Sequence, residues 1–114
     1  MRKILIVLFL IVSNILAAQK FNTDSVFFQG TGLKTDRTFV LSENTLMQEF
    51  AGHLTLYKRA SKVKKVKIGK YRFDRWDAID VSDDSEVRIF YKERHSIAIE
   101  FRKGVIAEYL IEKE

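Results

Sequence analysis

Val87-Arg88-Ile89-Phe90-Tyr91-Lys92 and Ile97-Ala98-Ile99-Glu100-Phe101-Arg102 are two runs of period-two alternation, separated by the polar residues Glu93, Arg94 and His95. Val87, Ile89 and Tyr91 fall on one face of an extended chain, with Arg88, Phe90 and Lys92 on the other. Ile97, Ile99 and Phe101 repeat the pattern. Alternation rich in Val, Ile, Phe and Tyr, bounded by polar breaks, is the signal of half-buried strands. The two runs with the break between them read as a β-hairpin.

The same rhythm extends in both directions. Downstream, Arg102-Lys103-Gly104 is a turn in which Gly104 takes the left-handed conformation that strains a Cβ. Val105–Ile111 is then the return strand, apolar on both faces. Upstream, Ile79 and Val81 alternate with Asp80 and Ser82, Val66 and Ile68 with Lys65 and Lys67, and Leu54 and Leu56 with Thr55 and Tyr57. Phe39 and Leu41 do the same, and Phe27–Gly32 reads as a strand ending in a glycine-rich turn. Gln19–Ser25 reads as a loose polar lead. Residues 43–51 admit a second reading, a short helix capped by Ser42 with Leu46, Met47 and Phe50 on one face.

The expected fold is all-β. About eight short antiparallel strands form a meander that must close or fold over to bury one face. A partly closed barrel or a two-layer β-roll satisfies that, with one short helix near 43–51 as the variant. Leu54, Leu56, Ile79, Val81, Val87, Ile89, Ile97, Ile99 and Phe101 are expected to share an interior filled by side chains. The strand rhythm is similar to that of the last strands of lipocalin-like proteins, without that family's sequence motifs. That resemblance carries no function; a barrel of about eight strands can nonetheless hold one small ligand, so a small apolar ligand in a lipocalin-like shape is one alternative role.

The chain of 114 residues suits one domain, preceded by a leader. Met1-Arg2-Lys3 is a positive start, Ile4–Val12 an apolar run, and Ala17-Ala18 a small-residue site before Gln19. This is the three-part layout of a secretory signal peptide over residues 1–18, leaving a single β-rich domain over 19–114. Ile4–Ala18 is shorter than the roughly 20 apolar residues of a spanning helix. Cleavage near Ala18-Gln19 is expected, with no stable transmembrane segment after it. The destination is then the bacterial periplasm or the outside of the cell.

Composition excludes several chemistries. There is no cysteine, so disulfides, thiolate metal sites and cysteine nucleophiles are absent. The two histidines, His53 and His95, sit at predicted strand ends with no serine elbow nearby, so no catalytic group and no enzyme activity is expected. Asp80, Ser82 and Asp84 have the spacing that opens a calcium loop. Ser85 and Tyr91 stand where such a loop needs its glycine and its distal glutamate, so no metal site and no cofactor is expected.

The remaining feature is charge. The chain is 31% charged with a formal net charge of +5, which loss of Arg2 and Lys3 reduces to +3. Lys58, Arg59, Lys62, Lys64, Lys65, Lys67, Lys70 and Arg72 form a basic stripe without an acid, flanked by Tyr57 and Tyr71. Asp74, Asp77, Asp80, Asp83, Asp84 and Glu86 follow it, interrupted by Arg75 alone. If the two segments pair across strands, their charges cancel. If they do not, the stripe can hold a polyanion by charge and counterion release. The sequence therefore points to an exported non-enzymatic domain that binds or scaffolds in the cell envelope. Anionic polysaccharide, lipid headgroups or another envelope protein are the candidate partners.

Overall fold

The computed structural model describes residues 19–102 and 104–112, all of it strand and turn; the leader proposed over 1–18 lies outside the described residues. The strands are β1 (Gln19–Phe28), β2 (Thr31–Leu41), β3 (Thr45–Phe50), β4 (His53–Arg59), β5 (Lys64–Ile68), β6 (Tyr71–Asp80), β7 (Glu86–Lys92), β8 (Ser96–Arg102) and β9 (Val105–Ile111). They lie in the order β4-β3-β2-β1-β9-β8-β7-β6-β5, every pair antiparallel, and β4 also pairs with β6. Eight strands thus close into a barrel, and β5 is an extra strand attached to the lower part of β6. Closure leaves the eight barrel strands without a free edge along the seam. The seam is short: Tyr57, Lys58 and Arg59 face Asp80, Ile79 and Ala78.

Local chemistry sets the turns. Phe28 pairs with Thr31 and Phe50 with His53, leaving two-residue loops. Both residues of each loop, Gln29-Gly30 and Ala51-Gly52, have positive φ, as the hairpin turn that matches strand twist requires. Gly104 has φ of +84°, as its place in the β8–β9 turn demands. Residues 43–51 form no helix. Leu41 pairs with Leu46 across the short Ser42–Asn44 turn, and Thr45–Phe50 then runs as β3 between two strands.

The interior follows strand parity. Phe39, Leu46, Ile89, Ile97 and Ile99 are fully enclosed, and Val26, Tyr57, Trp76, Ala78, Val87, Tyr91, Ala107 and Tyr109 complete the cluster. Phe21 stacks on both Phe39 and Tyr91, with ring centroids 5.6 Å apart in each case. Val87, Ile89, Ile97 and Ile99 therefore lie where alternation places them.

Five residues expected inside do not. On β4, the pairs Leu46↔Tyr57 and Tyr57↔Asp80 turn Tyr57 and Thr55 inward, which leaves Leu54 66% and Leu56 39% exposed. On β6 the inward residues are Trp76 and Ala78, so Ile79 faces outward, and Val81 begins the exposed turn beyond. Phe101 sits at a bulge: Glu100 pairs with Ile106 and Arg102 with Val105, and the unpaired residue between them is pushed out of the alternation. Gln19–Ser25, read as a loose lead, is instead the first half of β1. Its period breaks at a bulge around Asp24, with Phe21 and Thr23 inward before it and Val26 inward after it.

Candidate functional site: a basic arm beside the barrel

The β5–β6 hairpin turns through Gly69-Lys70 and pairs Lys64↔Arg75, Lys65↔Asp74, Val66↔Phe73, Lys67↔Arg72 and Ile68↔Tyr71. The lowest residues of β6, Tyr71 to Phe73, pair with β5 alone, whereas β7 joins only from Asp74 upward. This end of the hairpin is thus an arm outside the barrel wall. Phe73 is buried in it, His95 lies against Phe73 with ring centroids 6.2 Å apart, and His95 stacks on Tyr71 at 4.7 Å. These contacts fasten the arm to the β7–β8 turn. The ammonium groups of Lys70 and Lys92 lie 5.4 and 5.6 Å from the Tyr71 ring, within range of a cation–π attraction.

The predicted cancellation of charge occurs at one place. Lys65 pairs with Asp74. The other ion pairs among the described residues join Arg88 to Asp77 and to Glu100, on the outer wall of β6, β7 and β8. Two positions go the other way. Lys67 faces Arg72, and Lys64 faces Arg75, so like charges stand directly across the ladder. Only the first acid of the acidic segment, Asp74, reaches a lysine of β5. Most of it runs up the barrel wall and into the β6–β7 turn.

The eight stripe residues do not share one face. Lys67 and Arg72 lie on one side of the arm with the Lys65–Asp74 pair, and Lys64 lies on the other with Arg75. Lys62 and Lys70 occupy the connecting turns. Lys58 and Arg59 belong to the barrel seam, where the Arg59 guanidinium donates to Asn44 Oδ1 at 3.3 Å. Arg75 joins the arm although the stripe was expected to end at Arg72. The signal for it is the two-residue turn at Gly69-Lys70, which sets the register that brings Arg75 beside Lys64.

The acidic turn is not arranged as a cation loop. Asp80 Oδ1 accepts from the Ser82 amide at 2.9 Å and from its hydroxyl at 2.7 Å. Asp83 Oδ1 does the same with Ser85, at 2.9 and 2.6 Å, and these bonds hold the Asp83 carboxyl below its ordinary range. Among the described residues no group of three or more His, Asp or Glu side chains is gathered to hold a metal ion. His53 and His95 lie at opposite ends of the barrel, at the top of β4 and beside the β7–β8 turn. No helix among the described residues is long and apolar enough to cross a membrane.

An open cleft of about 990 Å³ lies at the lower end of the barrel. It is lined by Phe21, Tyr91 and Ile111, with Lys20 and Arg94 set against Glu93 and Glu112, so its formal charges balance. Tyr91 donates its hydroxyl to Gln19 Oε1 at 2.6 Å across the start of β1. No known protein family matches the chain, and neither a curated protein nor a solved structure is similar to it.

Proposed function

We propose that this is an exported, non-enzymatic binding domain that holds anionic polymers or surfaces through the β5–β6 arm. The observation that carries the reading is the pair of like-charge ladder positions, Lys64↔Arg75 and Lys67↔Arg72. Like charges directly opposite each other destabilise a sheet. A hairpin that keeps both, with one ion pair between them, maintains positive potential at a cost in stability. An arriving phosphate, sulfate or carboxylate polymer relieves the repulsion as it binds. Cations on both sides of the arm suit an extended polyanion laid along or around it. The leader pattern of Arg2, Lys3 and the following apolar run supports export, where such polymers include anionic polysaccharide and the headgroups of lipid surfaces.

The test is a heparin column and a salt series. Retention falls steeply with salt, because each neutralised anion releases counterions. Exchanging Lys64, Lys67 and Arg72 for Glu abolishes retention, while Lys58→Glu, on the barrel wall, reduces it little. Unchanged elution of the triple variant overturns the reading. Export is checked separately by N-terminal sequencing of the mature protein, expected to begin at Gln19 or Ala18; a stable mature species that retains Met1 overturns that part.

A further inference from the structure

The upper end of the barrel differs from its filled middle. Phe28, Leu33 and Phe50 lie on the inward side of β1, β2 and β3, as their pairing with Ala107, Val26 and His53 requires. Yet they are 38%, 58% and 39% exposed. Inward-facing apolar residues that remain in contact with water form an apolar rim at the barrel mouth. The β3–β4 hairpin lengthens one wall of it, since β4 continues upward from Tyr57, its last paired residue with β6, to His53.

The floor of this mouth is polar in a specific way. Arg37 enters from β2, half-buried, with its guanidinium carbon 4.1 Å from the Phe50 ring centre and 4.9 Å from that of Tyr109. Its Nε donates to Thr35 Oγ1 at 3.4 Å. Arg37 takes part in none of the ion pairs among the described residues. Gln48, on the inward side of β3 between Leu46 and Phe50, is 8% exposed, and its Oε1 has no hydrogen-bond partner. A buried amide oxygen without a partner is costly in a folded protein. Asp80 lies on the inward side of β6 opposite Tyr57, and its Oδ1 is engaged by Ser82; Asp83, in the turn beyond, also acts on Tyr57, and its Oδ1 is engaged by Ser85.

We propose that the upper mouth of the barrel binds one small anionic amphiphile, its charged head on Arg37 and its apolar chain against Phe28, Leu33 and Phe50. Arginine presents a planar fork of donors matched to a carboxylate, and stacking on two aromatic rings holds that fork in one orientation. Gln48 adds an amide beside the head group, where its unpartnered oxygen accepts from a protonated acid, a hydroxyl or a water carried in with the ligand. Apolar walls with a few converging polar groups at a barrel mouth are the usual setting of a small-molecule site. Tyr57 and Tyr109 stay protonated as neutral donors at ordinary pH, because burial raises both phenols. The site is independent of the basic arm, which lies at the other end of β6.

The test uses the purified protein with sodium decanoate, kept below its micellar concentration, and with decan-1-ol as the uncharged control. Calorimetry should give one decanoate per chain, bound at least about tenfold more tightly than decanol, with a raised Tm. Arg37→Gln should remove the preference for the charged head. Leu33→Asp is the second variant: it alters an exposed rim position, leaves the unliganded Tm nearly unchanged and repels the carboxylate. Lys67→Glu, on the arm, should leave decanoate binding intact. No binding, equal binding of decanol, unchanged affinity in Leu33→Asp, or loss of binding in Lys67→Glu each overturns the proposal.

Discussion

Lys67 and Arg72 stand directly opposite each other on the β5–β6 hairpin, two cations where a stable ladder places opposite charges. Binding capacity and stability therefore oppose each other at this pair. Lys67→Glu should create a cross-strand ion pair and stabilise the protein by about 0.2–1 kcal/mol. That corresponds to a rise in Tm of up to about 5 °C for a domain of this size. The same variant should elute earlier from heparin. A variant that melts lower than the wild type shows that the two charges do not repel each other in the folded state.

Strand parity is tested by a contrast between two apolar residues. Ile99 is fully enclosed, and Ile99→Ala should cost about 2–5 kcal/mol through lost transfer energy and the cavity left behind. Leu54 is 66% exposed on the outer wall, and Leu54→Ala should lie within about 0.5 kcal/mol of neutral. Urea unfolding of both variants separates them. A larger loss at Leu54 reverses the register of β4.

Two buried phenols couple stability to alkaline pH. Burial, reinforced by Asp80, pushes Tyr57 up to about 12, and burial, reinforced by Glu93, pushes Tyr91 up to about 12. A group that holds its proton more tightly when folded stabilises the protein fully below its unfolded pKa. That contribution is lost as pH rises through the folded value. Stability should therefore fall between about pH 10 and 12. Tyr57→Phe should flatten the decline, measured as urea midpoints at stepped pH. An unchanged slope in that variant places the coupling elsewhere.

At the β6–β7 turn, the carboxyl of Asp83 is held low by the hydroxyl and amide of Ser85. Ser85→Ala removes the hydroxyl bond and should return the Asp83 pKa toward the ordinary carboxylate range, followed by NMR titration. The depressed carboxyl favours the turn above its unfolded pKa and ceases to do so as pH falls through the folded value. Because Asp80 and Asp83 already accept from Ser82 and Ser85, calcium should bind this turn no more tightly than about millimolar. Calorimetry giving micromolar affinity contradicts that expectation.

Alternation located β7 and β8 because their outward positions, Arg88, Lys92 and Glu100, are charged and leave one choice of inner face. It failed on β4, where Leu54 and Leu56 on one side compete with Thr55 and Tyr57 on the other. There the choice belongs to Leu46 and Asp80, the residues that Tyr57 must face. It failed on β1 because the bulge at Asp24 shifts the inward set from Phe21 and Thr23 to Val26, so no single period spans the strand. The basic stripe was legible as a run of charge. Its lack of neutralisation was not, since that depends on whether the hairpin turns at Gly69-Lys70 or one residue away. Arg37 left no trace in the sequence. A lone arginine in a strand is unremarkable until barrel closure sets Phe50 and Tyr109 around it.

Pairing between β1 and β9 fixes the order in which this protein can be completed. Thr23 meets Ile111, and Phe28 meets Ala107, so β1 keeps one side open until β9 has been delivered. A chain emerging N-terminus first, from a ribosome or through a membrane pore, therefore carries β1 and β2 as an incomplete sheet whose open side can accept a wrong strand. The hairpins β3–β4, β5–β6 and β7–β8 can zip locally during that time, because their partners are neighbours in sequence. The ring can close only as the final step, and folding of the whole is slow relative to its hairpins. During that interval the open side of β1 is a free edge, on which another strand can pair in place of β9.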